Sequence, residues 1–169
     1  MMFRTHIAFA LLFYFLFLKI FSISFIPVFA LILCFGSILP DIDSPSSFVN
    51  VKYLLGVGKT VSVFSKHRGF WHSIFGCMIF SAISFAAVYF LHASFIFALA
   101  LPAGYLLHLA ADSFNVSGIK WLWKSGRISG PIRTGGIFEQ FFFLAICAAG
   151  YFLFKQDVSR EISAFLIKP

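Results

Sequence analysis

Charge is what this sequence has least of. Only 11% of its 169 residues are Asp, Glu, Lys or Arg, six of them acidic, against 60% hydrophobic residues. The mean hydropathy is +0.95, whereas soluble domains carry about a quarter charged residues. An ordinary soluble domain is excluded on that ground. Cysteine is also scarce: Cys34, Cys77 and Cys147 are odd in number, far apart and each inside an apolar run. That excludes a disulfide framework and a CxxC metal site, and leaves small buried or lipid-facing side chains. No HExxH run occurs, which disfavours a zinc peptidase of the soluble type. No basic, water-exposed module is visible, so the net charge of +7 points to cationic loops on one side of a membrane, with no nucleic-acid partner. The apolar stretch from Ile7 has no small-x-small cleavage site and runs into a second one, so the N-terminus is expected to be retained.

What is present is apolar length. Residues 7–39 contain one charge, Lys19, and as a single helix would reach about 50 Å, well beyond a hydrocarbon core of about 30 Å. The chain must fold back, and Ser22, Ser24 and Pro27 mark the turn. Residues 71–112 would reach about 60 Å and pose the same problem, with a break expected at His92, Ala93 and Ser94. A fifth apolar run, 137–154, follows a Gly- and Pro-containing loop. The expected fold is all-α: an integral membrane bundle of about five transmembrane helices over residues 1–154, then a polar C-terminal tail, 155–169. The 26 Phe suit lipid-facing and interhelical packing.

Let face A be the side holding the N-terminus and the loops 40–70 and 115–136. Nine Lys and Arg fall there (Arg4, Lys52, Lys59, Lys66, Arg68, Lys120, Lys124, Arg127, Arg133), against four on face B (Lys19, Lys155, Arg160, Lys168). The positive-inside rule makes face A cytoplasmic.

The other ionisable groups gather on face A too. His6 opens the first helix, Asp41 and Asp43 follow the second, His67 and His72 precede and enter the third, His108 and Asp112 close the fourth, and Glu139 opens the fifth. Charged groups at membrane depth cost a few kcal/mol each and imply a partner. His108 and Asp112 are four apart and share a helix face. Alone, such a pair commonly just hydrogen-bonds across a helix. Asp41 and Asp43 stand at a helix C-terminus, where the dipole disfavours carboxylates, so they call for a cation; a solvated DxD turn is the plainer reading. Gly69 permits a tight bend that brings His67 and His72 together. Glu139 also suits a helix first turn for dipole reasons alone. Their common face favours a metal site. Imidazole mixed with carboxylate suits zinc first, then manganese or iron, and the donors suffice for one or two divalent ions.

Arg68, Lys124, Arg127 and Arg133 form a cationic layer that can hold an anionic group beside the site. For the three loop cations topology signalling is the simpler explanation, whereas Arg68, inside the histidine motif, is read as functional. Trp121 and Trp123 fit an interfacial anchor.

These pieces in order, Thr5-His6, GSILPDID (36–43), HRGFWHS (67–73), GYLLHLAADSFNVSG (104–118) and TGGIFE (134–139), resemble a family of small bacterial and archaeal inner-membrane proteins described as membrane-bound metal-dependent hydrolases. That family is distantly similar to the zinc-dependent phospholipases C, which implies phosphodiester or phospholipid hydrolysis. The sequence departs from the family pattern at Trp71 and Asn115, where Thr is usual, and at Lys124, where Pro is usual.

The expectation is therefore a hydrolase of the inner membrane. His6, Asp41, Asp43, His67, His72, His108 and Asp112 would bind metal, and Asp43, Arg68 and Glu139 would assist catalysis on a lipid or phosphoester. Two rivals stand: a transporter passing metal ions or protons, which needs polar groups toward face B beyond His92, and a non-catalytic membrane protein with one structural metal. Oligomeric state is not legible.

Overall fold

The computed structural model describes residues 1–43, 69–124 and 126–167, with side chains described through 41 in the first segment and through 156 in the last. The described residues form five α-helices and two short 3-10 turns: α1 (Phe3–Phe21), α2 (Pro27–Gly36), a turn (Leu39–Asp43), a second turn (Phe70–His72), α3 (Ile74–Phe90), α4 (Ile96–Ser113) and α5 (Ile137–Ile167). No strand occurs among them, only two isolated bridges in the loop before α5. The helices α1 and α4 and the stretch Ile137–Gln156 of α5 are long and apolar enough to cross a membrane; α2 and α3 are shorter and apolar. At 10 residues, α2 rises about 15 Å, half the hydrocarbon core.

Both expected fold-backs occur. Ser22 takes a left-handed conformation at the end of α1 (φ 54°), and Pro27 begins α2. Tyr14 ties that turn down: its hydroxyl accepts the Ile26 N–H at 3.0 Å and donates to the Ile26 carbonyl at 3.3 Å. His92, also left-handed (φ 50°), ends α3, and Ala93 N–H returns to the Val88 carbonyl at 3.1 Å, an arrangement that closes a helix C-terminus. The last helix differs from expectation. It runs past Phe154 to Ile167, because residues 155–168 contain no Gly or Pro to stop it.

Helix α4 is the hub, touching α1, α2 and α3, while α5 packs along α1. Pro102 interrupts α4, freeing the Ala98 carbonyl four residues earlier. Ser84 of α3 donates to that carbonyl at 3.1 Å, so the freed acceptor is not left bare in the apolar interior. Gly36 of α2 and Gly104 of α4 let the two backbones approach closely: a Cβ on either would collide with the carbonyl of Leu101 or Leu33. Small residues serve such contacts between membrane helices, where hydrophobic drive is weak.

The distribution of polarity is the reverse of a soluble protein's. Leu31, Met78, Tyr89, Phe90, Phe138 and Phe141 are all exposed, whereas Thr5, His6, His72, His108, Asp112, Asn115 and Glu139 are buried. Water-soluble domains seldom bury such groups or expose such surfaces; a bundle whose outside is lipid does both.

Candidate metal centre

The buried polar groups meet at one end of the bundle, brought there by four chain segments. His6 lies in the first turns of α1, Asp41 in the turn after α2, His72 in the turn before α3, and His108 with Asp112 in the last turns of α4. The rings of His6 and His108 stack with centroids 3.8 Å apart at 12°. His72 stands edge-on to His108 at 5.3 Å and 64°.

The carboxylates bracket these rings. Asp112 Oδ1 is 3.4 Å from His6 Nε2, and Oδ2 is 4.0 Å from His108 Nε2. Asp41 Oδ1 is 3.4 Å from His72 Nε2 and 3.9 Å from His108 Nε2. The α-amine of Met1 lies 2.5 Å from Asp112 Oδ1. Ligand atoms of His6, Asp41 and His108, and of His72, His108 and Asp112, each fall within 4.8 Å of one another.

Three observations bear on whether a cation fits. First, His108 Nδ1 is 2.7 Å from the Ser37 carbonyl oxygen; a carbonyl only accepts, so Nδ1 carries the proton and Nε2 presents its lone pair to the cluster. Metal-binding histidines are oriented in this way. Second, Nε2 of His108 and both ring nitrogens of His6 are buried with no hydrogen-bond partner among the described residues. A buried nitrogen without a partner is costly. Third, two carboxylates drawn together at this depth call for a balancing cation, and a divalent ion would serve. The two triads share His108, and its Nε2 has a single lone pair, so they describe one compact cluster; a second ion would have to be bridged through Asp41 or Asp112.

Asp41 forms the accessible edge of the site. Its side chain is 19% exposed, while those of His6, His72, His108 and Asp112 are at most 1% exposed.

Glu139 stands apart from the two donor triads. Its carboxylate accepts the backbone N–H of Met2 and of Gly135, both at 2.6 Å, which ties the start of α5 to the start of α1. The expected catalytic group is thus held by two backbone donors, and it belongs to neither donor triad. His67 and Arg68 lie outside the described residues, as does the side chain of Asp43.

Lys124, Arg127 and Arg133 are exposed on the loop between α4 and α5, with the Lys124 ammonium 5.2 Å above the Trp123 ring. That loop is ordered by Asn115, three residues beyond Asp112. Asn115 is 1% exposed; it donates to Thr134 Oγ1 at 2.5 Å and accepts the Ser117 N–H at 3.2 Å. Ile119 and Ile128 exchange backbone hydrogen bonds at 2.9 Å in the same loop. Ile119 then packs on Leu109, Tyr105 and Leu39, so the loop lies against the donor end of α4. Trp121 donates its indole N–H to Ser113 Oγ at 2.9 Å. A tryptophan eight residues beyond a helix-end serine was the sequence signal available for that contact.

Comparison with known proteins gives the chain a lineage. The model of the YdjM inner membrane protein family matches residues 1–167. Inner membrane protein YdjM of Escherichia coli (strain K12) and its counterpart in Shigella flexneri are each 32% identical over 116 residues, covering 64% of this chain. The matched stretch spans 58% of the length of those relatives. No solved structure matches. Its helices, its apolar exterior and this match agree that the chain belongs to the YdjM inner membrane protein family.

Proposed function

We propose that this protein is a membrane-embedded, metal-dependent hydrolase whose site faces the cytoplasm and acts on a phosphoester or lipid-like ester at the membrane surface. The observation that carries the reading is the meeting of His6, His72 and His108 with Asp41 and Asp112, ring nitrogen to carboxylate oxygen at 3.4–4.0 Å, with the His108 proton assigned away from the cluster. Three imidazoles and two carboxylates make a donor set suited to zinc. A divalent ion held there supplies Lewis acidity and brings the pKa of water toward neutrality. Asp41, as the accessible carboxylate, is the group placed to take a proton at the mouth of the site. The excess of Lys and Arg on the same side supports the cytoplasmic assignment, and an ester carried at the headgroup level would reach such a site without leaving the membrane.

The test is zinc content by elemental analysis of the detergent-purified chain beside His108→Ala and Asp112→Ala, followed by turnover of phosphodiester and phospholipid substrates in mixed micelles, with and without chelator. The reading expects about one ion or two per wild-type chain, loss in both variants, and turnover that chelation abolishes and zinc restores. Equal, negligible metal in all three proteins would remove the metal site. Stoichiometric metal with no turnover of any ester would leave a structural metal in its place.

A further inference from the structure

On the opposite side of α1 from the donor cluster there is a second feature. Two helical residues turn a side chain by about 200°, so Arg4 is exposed where His6 is buried. Arg4 stands at one end of a cavity of about 360 Å³ between α1 and α5, lined beyond it by Ile7, Leu11, Phe15, Cys147 and Tyr151. Arg4 is the one charged residue among the described residues of that lining. Gly150 leaves the floor open: a Cβ there would meet its nearest neighbour, Phe15 Cδ2, only at 4.0 Å, and a longer side chain would fill the space.

The seam is closed at its two ends by the same device. Arg4 donates to Gln140 Oε1, and Lys19 donates to Gln156 Oε1 at 2.6 Å. The two cations are about 22 Å apart along α1, so they hold the helices together near the two headgroup levels and leave the groove between them. Both acceptors are neutral amides. The guanidinium of Arg4 also sits 4.9 Å above the Phe143 ring, which orients it without cancelling its charge. No carboxylate pairs with Arg4 among the described residues.

An uncompensated cation at the mouth of an apolar groove matches a molecule with an anionic head and a hydrocarbon tail. A second copy of this chain is a poorer match. The acids with described side chains are Asp41, Asp112 and Glu139, and all three are already engaged, two in the donor cluster and one on backbone N–H groups. A copy seated on this seam would therefore bring Arg4 no described carboxylate.

We propose that the seam between α1 and α5 binds one anionic phospholipid from the leaflet on the donor side, with its phosphate on Arg4 and an acyl chain lying over Gly150. Basic pockets between membrane helices recognise anionic headgroups in this manner, each cation near the surface contributing about a fivefold preference. The site stands on a different face of α1 from the metal centre and does not depend on hydrolysis.

The experiment is native mass spectrometry of the full chain exchanged into micelles containing equimolar phosphatidylglycerol and phosphatidylcholine, with circular dichroism to verify folding. Wild type should retain one lipid, with phosphatidylglycerol favoured about fivefold. Arg4→Lys should keep most of that preference, Arg4→Gln should abolish it while still retaining lipid, and Gly150→Leu should lose both lipids. Equal retention of the two lipids by wild type would overturn the proposal without any variant. So would an unchanged preference in folded Arg4→Gln, or a lipid-free wild-type dimer that Gly150→Leu converts to monomer, which would make the seam an interface between copies.

Discussion

His108 donates its Nδ1–H to the Ser37 carbonyl at 2.7 Å, a bond that exists only because α2 and α4 come together at Gly36 and Gly104. Two glycines thus set the orientation of an imidazole that lies in the next turn of α4. A methyl group on Gly104 must push α2 away from the Leu33 carbonyl, and the Ser37 carbonyl moves with it. Gly104→Ala is expected to cost about 1–3 kcal/mol by overpacking and to weaken zinc binding by about 10-fold or more, the usual effect of losing an orienting partner. Thermal melting and a zinc titration of the same preparation read the two effects. A variant that melts lower yet binds zinc normally would show that the Ser37 contact does not govern the His108 ring.

Glu139 separates stability from metal binding. Its two oxygens accept backbone N–H groups from just before α1 and just before α5, and hydrogen bonds to a charged acceptor contribute about 1.5–3 kcal/mol. Glu139→Ala should therefore lower the melting temperature by an amount matching that loss while leaving zinc stoichiometry intact. Loss of zinc in a folded Glu139→Ala protein would move the carboxylate into the metal site.

Much of this was legible in the sequence, for physical reasons that also mark where legibility ends. Bilayer thickness alone forces the breaks near Ser22 and His92, since an apolar run twice too long has to turn. Once the turns are placed, His6, Asp41, His72, His108 and Asp112 fall at one end without any knowledge of contacts. Lateral position is different. His6 and Glu139 look equivalent as groups at helix starts, yet one enters the cluster and the other turns to backbone N–H groups, because only the packing of α5 against α1 decides which way each faces. The buried role of Asn115 escaped for the same reason: its partner Thr134 lies in a loop whose course no periodicity announces. Length also misled at α5, where polar residues after Phe154 suggested an end that only a Gly or Pro would have enforced.

Asn115 gives a prediction about that loop. With Asn115 1% exposed and bonded to both Ser117 and Thr134, its replacement by alanine removes both hydrogen bonds, each contributing about 0.5–1.5 kcal/mol. The effect should be local: faster tryptic cleavage after Lys124 and Arg127 in Asn115→Ala than in wild type, with α-helical content unchanged. An unaltered cleavage rate would mean that Ile119, buried against Leu109 and Tyr105, holds the loop by itself.

Which side the donor cluster faces can be read directly. Ser94, in the turn between α3 and α4, and Ser129, in the loop at the donor end, are both exposed. They lie at opposite ends of α4, which is 18 residues long and so rises about 27 Å. In a background lacking Cys34, Cys77 and Cys147, a membrane-impermeant maleimide applied to intact cells or spheroplasts should label Ser94→Cys at once and Ser129→Cys only after permeabilisation. The sign follows from the cation count, nine against four, because Lys and Arg in short loops are retained on the cytoplasmic side. The reverse pattern would put the cluster on the outer surface, and a water-soluble substrate from that compartment would then have to replace the cytoplasmic-leaflet ester in the proposed chemistry.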